Sequence, residues 1–189
     1  MPMKILIENK EKLNIINKSR FIGIVKKVYN KEEALELLEK LHQKYPDATH
    51  ICYAYNLPNN QKYSDDAEPE GTAGIPILEI LKKNDLTYVI AIVIRYFGGI
   101  KLGSNGLIRA YSGIIGELVK DNTKDLEVGY LIKITEEYSK NDLIDYLLKN
   151  SVIISRDYQE KIIIQAIVNK KTLEKLSNVC YEIIEEKII

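Results

Sequence analysis

Between His50 and Tyr111 the chain collects residue types that suit neither a core nor an ordinary surface. Asp65, Asp66, Glu68 and Glu70 place four carboxylates within six positions. Such crowding is relieved by a hard cation such as Mg²⁺, by facing Arg and Lys side chains, or simply by solvent. Asp65, Asp66 and Glu68 are the candidate metal ligands, and the flanking Gly71 and Gly74 suggest a loop of defined shape. A second segment, Arg95-Tyr-Phe-Gly-Gly-Ile-Lys-Leu-Gly-Ser-Asn-Gly106, leads from an apolar run into a helix. Backbone N–H groups at a helix N-terminus favour anions, and Gly98 and Gly99 let a ligand approach the chain, with Arg95 and Lys101 beside it. The spacing is neither Gly-x₄-Gly-Lys-Ser/Thr nor Gly-x-Gly-x-x-Gly. The segment therefore reads as a site for a phosphorylated small molecule or nucleotide, or as a demanding turn that binds nothing.

Arg109 stands near the first turn of that helix, where a cation opposes the helix dipole. An acidic ligand, or the Asp65/Asp66 loop, is its expected partner. His50 is suited to general-base chemistry or to a structural hydrogen bond. Ser64 lacks the Gly-x-Ser-x-Gly context of a nucleophile elbow, so covalent catalysis has no support and the reading leans away from an enzyme.

The elements that must position these residues follow from periodicity. Ser19 to Val28 reads as a strand. Asn30 and Glu33 form a capping box for a helix that runs to Tyr45-Pro46. His50 to Leu57 is a strand, and Pro58 to Gly74 an exposed loop. Pro76 suits the first turn of a short helix through Leu81. Tyr88 to Ile94 is free of charge and β-branched, so it reads as a central strand covered on both faces. A helix capped by Asn105 follows, with Gly113 and Gly116 expected to allow close packing. Asp121 to Asp125 reads as a linker, dividing the chain into domains 1–124 and 125–189. The second half reads β (Val128–Ile134), α (Ser139–Lys149, capped by Ser139), β (Val152–Tyr158), β (Lys161–Val168), α (Lys171–Asn178), β (Tyr181–Ile189). That βαββαβ order is the ferredoxin-like pattern, so the fold class is α+β.

Lys plus Arg and Asp plus Glu each number 27. No global field draws the chain to nucleic acid or membrane, although a local basic site is not excluded. Cys52 and Cys180 cannot supply a structural zinc site, and Cys52 sits among apolar neighbours as a buried thiol. The N-terminus lacks the apolar core of a signal peptide, and no run is long enough to span a bilayer. A cytoplasmic, reduced setting is expected.

Three motifs then carry a resemblance. Thr49-His-x-Cys-Tyr-Ala-Tyr55, Ser64-Asp-Asp-x-Glu-Pro-x-Gly-Thr-Ala-Gly74, and Arg95-Tyr-Phe-Gly-Gly-Ile-Lys-Leu-Gly103 with Gly106-Leu-Ile-Arg-Ala-Tyr111 resemble the YigZ/IMPACT family signature. The match is strongest from Ser19 to Asp121. The resemblance implies an N-terminal domain like domain 2 of ribosomal protein S5, a fold shared with GHMP kinases and elongation-factor domain IV. It also implies a C-terminal domain like elongation-factor domain V. Eukaryotic relatives regulate translation through an additional N-terminal RWD domain, for which no room is expected before Ser19.

The functional reading is accordingly a translation-associated binding protein that contacts RNA, the ribosome or a translation factor. The expected binding surface takes in Arg20, His50, Tyr53, Ser64, Asp65, Asp66, Glu68 and Thr72, with Arg95, Tyr96, Gly98, Gly99, Lys101 and Arg109. The alternative is an enzyme or sensor that holds a phosphorylated ligand with Mg²⁺ at Gly98–Arg109. A third possibility is a protein-interaction surface built on Tyr53, Tyr55, Tyr96 and Phe97.

Overall fold

The computed structural model describes residues 3–188. The chain divides into two compact units, residues 1–125 and 126–189. The fold is mixed α and β, with sheets and helices in both units.

The first unit is organised by strand β6 (Val89–Tyr96), in which every residue but the last is buried. It lies between β3 (Ser19–Lys27) and β4 (His50–Leu57), antiparallel to both, in a five-stranded sheet of order β2-β3-β6-β4-β5. Because side chains alternate across a strand, β6 feeds two cores. Val89, Ala91 and Val93 join Phe21, Cys52 and the helices α2 (Gly74–Lys83) and α3 (Gly103–Val119). Ile90, Ile92 and Ile94 join Ile24, Ile51 and α1 (Lys31–Lys44) on the other face. Half of the capping box expected for α1 is present: Asn30 Oδ1 accepts from Glu33 N–H at 2.8 Å, while Glu33 Oε2 reaches one residue past the cap and accepts from Tyr29 N–H at 2.9 Å.

Several elements depart from the sequence reading. β2 (Lys10–Ile16) pairs with β3 through the turn Asn17–Lys18, whose φ values of 45° and 63° match the twist of a two-residue hairpin. Part of the expected Pro58–Gly74 loop is an edge strand, β5 (Asn60–Ser64), paired with β4. The expected linker contains β7 (Thr123–Asp125), which pairs with β1 (Lys4–Leu6), and Asn122 beside it is buried. A linker would leave Asn122 solvated. Here its side chain bonds the backbone of Glu8 and Leu118. Helix α3 starts at Gly103, so Asn105 lies inside its first turn and does not cap it. Space is open at Gly113 and Gly116, and the close approach comes from the sheet. A Cβ at Gly23 would lie 2.8 Å from Ile114 of α3.

The second unit is a four-stranded antiparallel sheet of order β11-β8-β10-β9. Its strands are β8 (Val128–Glu136), β9 (Val152–Tyr158), β10 (Ile162–Asn169) and β11 (Tyr181–Ile188). Ile189, expected to end the last strand, lies outside the described residues. Helices α4 (Asn141–Leu148) and α5 (Lys170–Lys175) join the unit's single core through Ile144, Leu148 and Leu173. Ser139 lies in a 3₁₀ turn ahead of α4 and does not cap it. Among the described residues no helix is long and apolar enough to cross a membrane.

Glu136 ties this unit together. Its Oε1 accepts from Lys140 Nζ at 2.6 Å and from Cys180 N–H at 2.7 Å. The Lys140 bond first, then the Cys180 bond, holds its carboxyl below the usual range. A depressed carboxyl stabilises the fold above its unfolded value, and that stabilisation fades as pH falls through the folded value. Glu136→Gln is expected to lower the unfolding midpoint by several degrees at pH 7. By calorimetry across pH, the gap should narrow below pH ~4, near the unfolded Glu value, and an undiminished gap would refute the assignment.

Candidate functional site

At one end of the first unit's sheet, on the side facing α2 and α3, Arg95 closes β6. The residue is 4% exposed. It donates through Nη1 to Glu68 Oε1 and through Nη2, at 3.5 Å, to Ser19 Oγ. Phe21 and Phe97 flank it, their ring centroids 5.3 and 5.5 Å from Cζ. Its Nε–H is buried and finds no acceptor among the described residues. Glu68 is 7% exposed. The same Oε1 also accepts from Tyr111 Oη at 2.7 Å, whereas Oε2 takes no hydrogen bond from a described residue. Tyr111 in turn packs edge-on against Phe21 at 5.5 Å. Burial, followed by the neighbouring Cys52 and Glu68, pushes the Tyr111 phenol far up, so it stays a donor.

His50 opens β4 opposite Arg95. Its Nδ1 lies 2.7 Å from the Asp66 carbonyl. A carbonyl only accepts, so Nδ1 carries a proton, and in the neutral form of the ring that tautomer makes Nε2 an acceptor. That Nε2 is 3.8 Å from Glu68 Oε1.

The acidic loop does different work from that expected of a metal cage. Asp65 accepts three backbone N–H bonds, from Ala73 (3.0 Å), Gly74 (2.8 Å) and Gly71 (2.9 Å). It thereby caps α2 from a distance, where the N-cap residue Ala73 has no side chain to do so. Asp66 Oδ2 accepts from Ile51 N–H, which binds the loop to β4. Asp66 and Ala67 adopt φ of 43° and 63°, a left-handed conformation held by these bonds. Thr72 Oγ1 donates to the Pro69 carbonyl at 2.6 Å, and Ser64 Oγ accepts from Asp66 N–H at 3.2 Å. Among the described residues no three His, Cys, Asp or Glu side chains gather into a group fit for a metal ion. Asp65 and Asp66 are engaged by backbone amides, and Glu68 by Arg95 and Tyr111.

The glycine turn is also built rather than floppy. A Cβ on Gly98 would lie 2.0 Å from the Lys18 backbone, so only glycine fits where the turn crosses the β2–β3 hairpin. Gly98 N–H donates to the same Ser19 Oγ at 3.1 Å. Beyond it Gly99 is exposed with φ of 84°. A cavity of about 400 Å³ opens here, with Thr49, His50, Glu68, Pro69 and Arg95 on one side. Phe97, Lys101, Leu102, Gly103, Ser104 and Leu107 complete it. The first turn of α3 has neither a side-chain cap nor an acidic residue, so its N–H groups remain available.

His50, Glu68, Arg95 and Lys101 therefore meet at one cavity. Arg109 does not: it is exposed and has no ion-pair partner among the described residues. Arg20 stacks on Tyr96, 4.5 Å from its ring centroid. Tyr53 is half-buried, and burial raises its phenol. Tyr55, expected at an exposed surface, is buried. Sequence reasoning missed Ser19, Leu102 and Leu107. Ser19 carried a signal as the small polar residue that starts a strand opposite a glycine turn.

Asp65→Ala leaves three backbone donors without their acceptor and should cost roughly 2–4 kcal/mol, between the loss of one cap and of several buried bonds. Urea unfolding measures it. A change within about 0.5 kcal/mol, the range of ordinary surface substitutions, would contradict the capping role. Gly98→Ala should destabilise by about 1–3 kcal/mol through forced backbone movement, checked in the same titration.

Comparison with known proteins agrees with the motifs. The Impact N-terminal domain matches residues 17–119. The IMPACT family member YvyE of Bacillus subtilis is 37% identical over 169 residues, covering 86% of this chain and 78% of that protein. The IMPACT family member YigZ of Escherichia coli is 34% identical over 162 residues, covering 79% and 78%. A crystal structure described only as that of a hypothetical protein superposes with a TM-score of 0.63 at 29% identity, over 99% of this chain and all of that one. With more than half of its length matched by the domain and relatives similar over most of theirs, the chain belongs to the IMPACT family.

Proposed function

We propose that the chain is a translation-associated binding protein of the cytoplasm, not a catalyst, and that it meets the phosphates of RNA at the edge around the cavity. The observation that carries this is the exposed ring of Phe97, 46% accessible, among unpaired cations. Lys18, Arg20 and Lys101 are exposed, and none takes part in an ion pair among the described residues. Gly98 packs on the Lys18 backbone, and Phe97 and Lys101 line the same cavity, while Arg20 stacks on Tyr96 on the sheet's other face. Cations interleaved with an aromatic face suit a single strand, whose phosphates and bases need both. One phosphate belongs at the cavity's α3 end, where Lys101 and the uncapped first turn meet.

The family resemblance supports the link to translation. The antiparallel order β11-β8-β10-β9 supports the ferredoxin-like reading of the second unit, like elongation-factor domain V. The sheet with α2 and α3 on one face supports the S5 domain 2-like reading of the first. The concavity of the site also favours the alternative ligand, a phosphorylated small molecule.

Filter binding of a single-stranded RNA across salt concentration tests the proposal. Affinity should fall with salt, and Arg20→Ala or Lys101→Ala should each lower the slope by about 1. Phe97→Ala should weaken binding by about 1–3 kcal/mol. No salt-dependent affinity would overturn the RNA reading.

A further inference from the structure

We infer that the cavity beside Glu68 and Arg95 holds one guanosine monophosphate unit, with its phosphate at the α3 end and its base edge at Glu68 and His50. This rests on the phosphate reading of the same site proposed above, and adds what the rest of the ligand must be.

The two ends of the cavity differ in kind. At one, Lys101, Gly103 and Ser104 present an ammonium group and the N–H groups of a helix start that has no cap. Unmatched donors of this kind call for an anionic oxygen. At the other end the exposed chemistry is reversed. Glu68 Oε1 is saturated by Arg95 and Tyr111, which leaves Oε2 as an open acceptor. His50 is fixed by the Asp66 carbonyl in the tautomer that makes Nε2 a second acceptor. Two acceptors side by side select a ligand with two adjacent donors.

Among the common bases only guanine offers that pattern, at N1–H and the 2-amino group. Adenine and cytosine set their amino donor beside a ring acceptor, and uracil has one N–H between two carbonyls. Phe97, Leu102 and Leu107 supply an apolar wall on which a ring can lie. A volume of about 400 Å³ falls within the range of small-ligand sites. A free nucleotide and the terminal nucleotide of an RNA share this chemistry.

Isothermal titration of the full chain with GMP, IMP, AMP and guanosine provides the test. GMP is expected to bind at one site. IMP, which lacks the 2-amino group, and guanosine, which lacks the phosphate, should each be weaker by about tenfold or more, and AMP at least as weak as IMP. Lys101→Ala should weaken GMP and leave guanosine unchanged. Glu68→Gln should remove most of the GMP-over-AMP preference. Because that substitution also weakens the buried pair, the ligand series on the unaltered chain is the primary readout. A 5′-phosphorylated oligonucleotide beginning with guanosine separates the sources: binding tighter than GMP points to an RNA end, weaker binding to a free nucleotide. Absence of GMP binding, or equal affinity for GMP and AMP, overturns the inference. If RNA is still retained on filters in that case, the proposed function stands without it; if RNA binding is absent too, both fall.

Discussion

The ion pair between Glu68 and Arg95 is the constraint around which the first unit is arranged. Both groups are almost wholly buried. Removing two charges from water costs several kcal/mol per ion unless the remaining donors and acceptors are matched. Here the matching is distributed. Tyr111 from α3 supplies a second donor to the carboxylate, Ser19 from β3 an acceptor for the guanidinium, and two phenylalanine rings flank the cation. A buried pair of this kind specifies an arrangement more than it stabilises one. It fixes where the acidic loop must sit on the sheet. It also brings α3, β3 and β6 to one point, and the cavity opens beside that point.

The acidic loop illustrates how a charge cluster can serve backbone rather than ligand. The amides of Ala73 and Gly74 at the start of α2 have no partner within the helix, and Asp65 takes both, together with that of Gly71 just ahead of it. Asp66 does the same for the edge of β4. Repulsion among the carboxylates is answered by dipoles already fixed in the fold, with no cation required. Among the described residues only Glu68 of the four turns toward a charged side chain, and its Oε2 takes no hydrogen bond.

The main framework was legible because its signals are local. A charge-free β-branched run can only be a central strand, and an Asn30–Glu33 box can only start a helix. The four strands and two helices of the second unit follow from alternation in the same way. What escaped was made by partners distant in sequence. Asn60–Ser64 has no apolar face of its own and is a strand only because β4 offers it an edge. Lys4–Leu6 and Thr123–Asp125 are three residues each and exist only as a pair. In the site, complementary charge correctly drew Arg95 toward the acidic loop. Spacing alone could not show which carboxylate would receive it, since counting carboxylates says nothing of the amides folded around them. Arg109 drew attention by opposing a helix dipole, yet it projects into solvent, where that opposition is weak.

Cys52 lies behind this network, buried, with its thiol 3.0 Å from the Asp65 carbonyl and 3.5 Å from Tyr111 Oη. Burial keeps the thiol protonated well above its ordinary range. Oxidants and alkylating agents attack the thiolate, so in the closed molecule this sulfur is chemically silent. It becomes reactive only when the loop lifts from β4. The rate at which it is alkylated would therefore time the breathing of the loop, a clock set behind the cavity by the same packing that closes it.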